Sequence, residues 1–359
     1  MADKTKERRV SVDVLQRFCI EALVRVGVPG DHARIVAESL VEANLRGVDS
    51  HGVILLPRYV KRIELGLMKP DVVPKVVRDT GAVAVMDGDN GLGQVIAIKA
   101  MEMSIGKARE YGIGAVGIRN SNHFGMAAYI AMQALGSDMI ALVLSNAAPS
   151  IAPWGGTQPL LGTNPLAISV PTDRDPIVLD MALAVAARGR IRSAAREGKS
   201  IPEGWAFDEH GKPTTDAEQA LKGSVFPIAG PKGYALALMV DVLSGVLTGS
   251  FFADSISSVH DTGVGTHVGH FIEAIRIESF MPVREFKARM AEMRQKIRGC
   301  PLTEGVDKIY LPGEIEFDQE KERKKLGIPL TAPVWRQLVA LAEELGFERD
   351  LAKGLAIID

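Results

Sequence analysis

The stretch "IAIKAMEMSIGKAREYGIGAVGIRNSNHFG", residues 96–125, admits two readings, and the choice between them decides the fold. Gly112, Gly114 and Gly117 stand at the G-x-G-x-x-G spacing of a dinucleotide phosphate loop. Such a loop works only in the order strand, tight turn, helix, because the helix N-terminus must meet the pyrophosphate. Here the order runs backwards. The residues up to Tyr111 follow a helical period, Gly112 falls where a C-cap glycine belongs, and "AVGI" after it is an apolar strand. Asp138 stands about twenty residues on, where a ribose-binding acid is sought, but it falls in the turn after the next helix. A second near-match, Gly263, Gly265 and Gly269, has no strand before it either. The glycines therefore exclude a Rossmann loop and leave a polar turn, "NSNH", ending in His123.

A chain of 359 residues has room for roughly two domains. With 47% hydrophobic and 24% charged residues it has the composition of a soluble globular protein. A formal net charge of −2 excludes a general attraction to nucleic acid or anionic lipid. The two cysteines, Cys19 and Cys300, form neither a disulfide framework nor a zinc pattern, which points to a reducing, cytoplasmic setting. "MADKTKERRV" has no apolar run behind its charges, so no secretory signal is expected, and no window reaches the ~20 apolar residues of a membrane span.

Helical periodicity marks "SVDVLQRFCIEALVRVG" (11–27), then "HARIVAESLVEANLR" (32–46) with Asp31 as its cap, then Val53 to Leu65. From Ala82 apolar strands alternate with helices: "AVAVMDG", a helix near 92–110, "GAVGIRN", a helix near 125–135, and "MIALVLSN". Two loops rich in glycine and proline flank strands at "LAISV" and "PIVLD"; a long apolar helix after Lys232 and a strand at "FIEAIRI" follow. Helices return at 283–298, 314–326 and 333–345. The expected fold is α/β of the α+β type, with a discontinuous helical domain (1–78 and 283–359) and a mixed α/β domain (79–282).

His51, in "DSHGV" beside Ser50, and His123, in "NSNHFG", stand in loops at the ends of elements, where a scaffold presents reactive groups. Neutral imidazole suits proton transfer. A helix start beside each ring disfavours its charged form, so an anionic substrate or a carboxylate must offset that. Either histidine can equally be a hydrogen-bonded structural residue. His260, His267 and His270, with Asp261 and Glu273, form a metal-like cluster, but H-x6-H-x2-H matches no common ligand spacing and reads better as a solvated loop. A metal-dependent hydrolase is the rival from another class. Lys232 and Gly233 start a helix that can receive a phosphate or simply be a core helix. Glu314, in "YLPGE", reads as a capping charge in a first helical turn.

Taken in series, "LRGVDSHGV", "NSNHFGMAAY", "LSNAAPSIAPWGGTQPLLGTNPLAISVP", "LDMA", "IPEGWAFDEHGKPTTD", "GPKGYALALMVDVLSGVLTG", "GHF" and "YLPGE" resemble the malate/L-lactate dehydrogenase family of the second type, from about residue 10 to 350. The family also holds ureidoglycolate, sulfolactate and diketogulonate oxidoreductases and a cyclic-imine carboxylate reductase. The resemblance implies a non-Rossmann mixed-sheet core that binds NAD or NADP, with NAD preferred, and a homodimer acting on a small carboxylate. It places His123, His51 and Ser50 in the active site, with His123 favoured as acid/base and Asn122 beside the substrate. Cofactor contacts fall on Asn146, Ala147, Asp180, Met181, Ala182, Lys232, Gly233, Pro312, Gly313 and Glu314. No metal is expected. Many members read S-H-G-V-x-R, whereas this chain has Leu55 at that position. Arg58, three residues on and about 4.5 Å along the helix axis, is the candidate replacement; otherwise Leu55 lines the substrate pocket as a second apolar group and favours a bulkier or less charged tail. The reaction expected is hydride transfer at C2 of a 2-hydroxy or 2-oxo carboxylate; reduction of a cyclic imine carboxylate is the alternative.

Overall fold

The computed structural model describes residues 8–347; the opening "MADKTKE" and the last twelve residues of the expected helical domain lie outside that range. A short strand, β1 (Arg8–Val10), leads into α1 (Val12–Arg25). Ser11 starts this helix by accepting the Val14 N–H at 3.4 Å. In α2 (Gly30–Leu45) Asp31 lies inside the first turn and Pro29 holds the cap position, two residues before the expected aspartate cap. The expected third helix from Val53 also starts later. A 3₁₀ turn covers Val53–Leu55, and α3 runs Leu56–Glu64. Pro57 explains the shift: without an N–H, it fits a helix only in its first turn.

The middle of the chain supplies β2 (Lys75–Asp79), β3 (Val83–Asp87), α4 (Gly93–Tyr111), β4 (Ile113–Ser121), α5 (Ala127–Met132), β5 (Met139–Ser145), β6 (Leu166–Val170) and β7 (Ile177–Met181). Then come α6 (Arg188–Arg196), the hairpin β8 (Ala206–Phe207) and β9 (Pro213–Thr214), α7 (Ala217–Lys222) and α8 (Pro231–Asp241), which continues into a π-helical turn, Val242–Val246. The chain returns through β10 (Val268–Arg276), α9 (Val283–Arg298), α10 (Glu314–Leu326), β11 (Ile328–Leu330) and α11 (Ala332–Glu344).

Seven strands form one sheet in the order β2-β3-β4-β10-β5-β6-β7. Only β3 and β4 are parallel, joined by α4; the other neighbours are antiparallel. The period-2 alternation of β5 divides two cores. Met139, Ala141 and Val143 face α4 and α5, while Leu142 and Leu144 face the layer of α6, α7 and α8. A third core joins α1, α2 and α3 to β11 and α11, and β1 pairs antiparallel with β11. The strand Lys75–Asp79 spans the expected boundary at 78 and belongs to the sheet by pairing with β3.

Each glycine of the decoy motif has a structural reason. Gly112 caps α4 in the left-handed region, φ +87°, with its N–H on the Ala108 carbonyl. A Cβ on Gly114 would lie 2.1 Å from the Ser104 carbonyl oxygen, so glycine is what lets α4 close onto β4. At Gly117 the corresponding neighbour is Thr248 Cγ2, at 3.0 Å. Antiparallel pairing then brings the ends of β4, β5 and β7 and the starts of β6 and β10 to one edge of the sheet, where Ser121 meets Val268, Ser145 meets His270, and Leu166 meets both Leu144 and Met181.

Candidate active site

His123 follows β4 at that sheet edge, and His51 arrives from the helical layer on a 3₁₀ turn, Asp49–His51. The two imidazoles stack with centroids 5.5 Å apart and planes inclined by 22°. Local packing fixes the His51 turn. Asn44 on α2 accepts the Val53 N–H at 2.8 Å and donates to Asp49 at 2.6 Å. Gly52 lets Asn44 in, since a Cβ there would fall 2.1 Å from the Asn44 oxygen. From α10, Arg323 grips both Asp49 carboxylate oxygens at 2.7 and 3.1 Å. Ser50 Oγ lies 2.9 Å from His51 Nδ1.

His123 Nδ1 receives two contacts, from Tyr59 Oη at 2.8 Å and from the Gly125 N–H at 3.3 Å. Burial, reinforced by His51, His270, His260 and Arg58, depresses His123 to about 3. Burial also lowers His51. Both rings are therefore neutral at working pH, and desolvation outranks the helix starts as the cause.

The metal-like cluster is dispersed. His260 Nε2 accepts from Arg58 Nη1 at 2.9 Å; burial and the charges of Arg58, Arg192 and Arg196 hold it near 4. His267 packs on Phe251, with centroids 4.6 Å apart. His270 is fully buried between Ser145 Oγ and Ser121 Oγ, each at 2.9 Å. Among the described residues no three metal-ligating side chains converge. The segment carrying His260 is tied to α3 by Arg62, which donates to the Asp261 carbonyl and, at 3.0 Å, to the Val264 carbonyl.

Two residues expected near the substrate have side chains already engaged in the fold. Asn122 is fully buried: its Nδ2 donates to Asn90 and Gly91, and its Oδ1 accepts from Thr266 at 2.7 Å, so its amide holds the fold together and has little to offer a ligand. Leu55 is packed into the helical core. Arg58, by contrast, is half-buried and has no carboxylate partner among the described residues, and the nearby Arg192 and Arg196 add like charge.

The expected cofactor residues divide by what their side chains already do. Asn146 and Ala147 follow β5, Asp180 and Met181 end β7, and Ala182 comes next, all at the sheet edge that holds His123. The Asn146 amide is engaged with Phe251 and Gly269, and Ala147 N–H donates to Asn164 Oδ1. Asp180 Oδ2 accepts the Ala128 N–H at the start of α5; loss of hydration around the carboxyl still pushes it up to about 6. Gly233 is glycine for packing, since a Cβ would meet the Ile228 carbonyl oxygen at 2.0 Å. Pro312 accepts the Val178 N–H, Gly313 (φ +90°) presses on Val178, and Glu314 is bound by Arg298 and the Leu311 N–H. These contacts leave main-chain atoms, and at Lys232 an exposed ammonium on a helix start that no side chain caps. That donor set fits a dinucleotide: the open helix start and the ammonium suit phosphate oxygens.

The family model described as "Malate/L-lactate dehydrogenase" matches residues 10–339. The chain belongs to the malate/L-lactate dehydrogenase family. It is 40% identical over 357 residues to a malate dehydrogenase of Pyrococcus abyssi, covering 97% of each chain. It is 32% identical over 336 residues to a ureidoglycolate dehydrogenase (NAD(+)) of Escherichia coli strain K12, with 92% of this chain and 95% of that one covered. The sulfolactate dehydrogenase structure from Methanocaldococcus jannaschii superposes with a TM-score of 0.90 at 39% identity, covering 95% and 98%. This family member is an NAD(P)-dependent hydroxyacid dehydrogenase. No described helix is long and apolar enough to cross a membrane. Tyr59 carries no local signal because it shares an apolar helix face with Leu56, Val60 and Ile63, a pattern that reads as packing. His270, expected in a solvated loop, is instead fully buried in β10, where Ser121 and Ser145 meet its ring nitrogens.

Proposed function

We propose that this dehydrogenase interconverts 2-oxo and 2-hydroxy carboxylates, with His123 exchanging the proton at the C2 oxygen. The observation that carries this reading is the stacked pair of neutral imidazoles, His51 and His123, at the sheet edge shared with Asn146, Asp180 and Met181. A bound nicotinamide dinucleotide supplies the hydride in one direction and accepts it in the other. In reduction, His123 gives a proton to the oxyanion; in oxidation it takes the hydroxyl proton. His51, oriented by Ser50, holds the carbonyl oxygen.

Arg58 meets the substrate carboxylate in place of the arginine absent at Leu55. Its bond to His260 orients the guanidinium and leaves N–H groups free. Arg192 and Arg196, one turn apart on α6, extend the positive field and favour a substrate with a second acidic group. We also propose a homodimer joined through the exposed apolar face of α8 and the turn after it. Leu236, Met239, Val246, Leu247, Phe251 and Phe252 contribute to this face and are all more than two-fifths exposed.

The test is a panel of singly and doubly charged 2-oxo acids, with cyclic imine carboxylates alongside, each run with NADH and NADPH and read by nicotinamide absorbance. His123→Ala is expected to lose roughly 10²–10⁴ in kcat while still binding cofactor by calorimetry. Near-normal turnover in that variant refutes the assignment. Preference for cyclic imines moves the substrate class to the alternative.

A further inference from the structure

His123 does not stand alone behind the reacting edge. A backbone N–H can only donate, so the Gly125 contact makes Nδ1 an acceptor and places the ring proton on Nε2. The Tyr59 hydroxyl, 2.8 Å from the same nitrogen, then donates to it as well. Tyr59 is fully buried, and Gln94 lies beside its hydroxyl. Apart from the neighbouring Tyr59 hydroxyl, Gln94, 1% exposed, has no partner for Nε2 or Oε1 among the described residues, and the fully buried Ser39 Oγ has none. Both reach the same spot: a Cβ on Gly125 would lie 3.1 Å from Ser39 Oγ and 3.5 Å from Gln94 Nε2. Buried polar atoms are costly to leave unpaired, and a group of them in one place is the setting that holds water.

We propose that Tyr59 is a positioning residue that sets the tautomer of His123 and passes protons through it, supplied by water held at Gln94 and Ser39. This rests on the reading of His123 above. In reduction the Nε2–H bond breaks as the substrate O–H forms. The Tyr59 O–H breaks as Nδ1–H forms, and a water proton restores the tyrosine, bulk water making good the loss. The longer Gly125 contact is released. When the site reopens, Nε2 regains a proton from solvent and the shifts behind it reverse. Oxidation runs the same sequence backwards. The ring stays neutral throughout, as its surroundings require: burial, His51, His260, His270 and Arg58 all disfavour an imidazolium.

The test begins with the wild-type enzyme. Nitrogen NMR of His123 is expected to show a bare Nδ1 and a protonated Nε2, and single-turnover reduction in H₂O/D₂O mixtures should give a curved proton inventory. Tyr59→Phe keeps the ring and removes the hydroxyl; kcat should fall about 10–100-fold, with KM and cofactor affinity within about twofold and a linear inventory. Gln94→Met and Ser39→Ala should lose less. A wild-type Nδ1 that carries the proton, a linear wild-type inventory, or a Tyr59→Phe enzyme with full kcat overturns the relay. If His123→Ala stays active, the His123 assignment itself fails; if it is inactive while Tyr59→Phe is normal, only the relay fails.

Discussion

What a histidine is free to do depends on what surrounds its ring. His270 lies between two serine hydroxyls. Ser145 Oγ gives its own proton to the Asn146 carbonyl at 2.8 Å and so accepts from Nδ1, and Ser121 Oγ lies 2.9 Å from Nε2. Burial pushes His270 down to about 3 from an ordinary 6.5. The folded ring thus resists a proton that the unfolded chain takes readily. Its contribution to stability is complete above pH 6.5 and is lost as the pH falls from there toward 3, by ~2 kcal/mol at pH 5. Urea denaturation at pH 7 and pH 5 should show this loss, and His270→Gln should reduce it; an unchanged midpoint across the window contradicts a neutral buried ring. At Arg58 the expectation is catalytic. Arg58→Ala removes a charged hydrogen-bonding group worth ~1.5–3 kcal/mol, so KM for the oxo acid should rise roughly 10–100-fold with NADH affinity unchanged. If Arg192→Ala raises KM equally for singly and doubly charged acids, the second-anion reading fails. Both histidine loops could be picked out from sequence because each sits at an element end beside a glycine. Nothing in "NSNH" reveals that the Asn122 amide is already held by Asn90, Gly91 and Thr266.

Elements were readable where one residue decides the backbone. Gly112 ends α4 at the expected place because the left-handed cap needs no Cβ, and α9 and α10 match their expected spans. The start of α3 was misplaced because apolar periodicity continues through Val53–Leu55 while Pro57 sets where regular hydrogen bonding can begin. Gly114 makes the contact between α4 and β4 testable. A methyl group there meets backbone at 2.1 Å and Lys107 Cβ at 2.7 Å, neither of which can swing aside. Gly114→Ala should therefore destabilise the protein by roughly 1–3 kcal/mol, read as a lower urea midpoint with unchanged slope. A neutral effect contradicts the close approach. The same variant should also lower activity, because β4 leads directly to His123.

On the scale of the whole molecule, the ends of the chain and the middle meet at the site. Asp49 next to Ser50 and His51 is held by Arg323 of α10, and β1 pairs with β11, so distant stretches of sequence fix the turn proposed to act in catalysis. The helices of both ends are proposed to act as one unit on this evidence. α9 also reaches the sheet, through Arg294 on Thr172 and the Asp175 carbonyl. The proposed dimer predicts twice the 38.6 kDa chain mass by light scattering. Leu247→Asp, on a residue 62% exposed, should give a monomer that keeps its helix content. A wild-type monomer rules out the apolar face as a subunit contact.

Sequence alone determined the types of the longer elements, the failure of the glycine motif and the two loops that carry imidazoles, because period, caps and glycine conformation are local properties of the backbone; α6, α7 and the β8–β9 hairpin it did not mark. Only the tertiary structure decided which side chains were free to act. Whether an amide, a tyrosine or an arginine already has a partner depends on residues that are remote in the chain, and pairing of that kind leaves no local pattern to read.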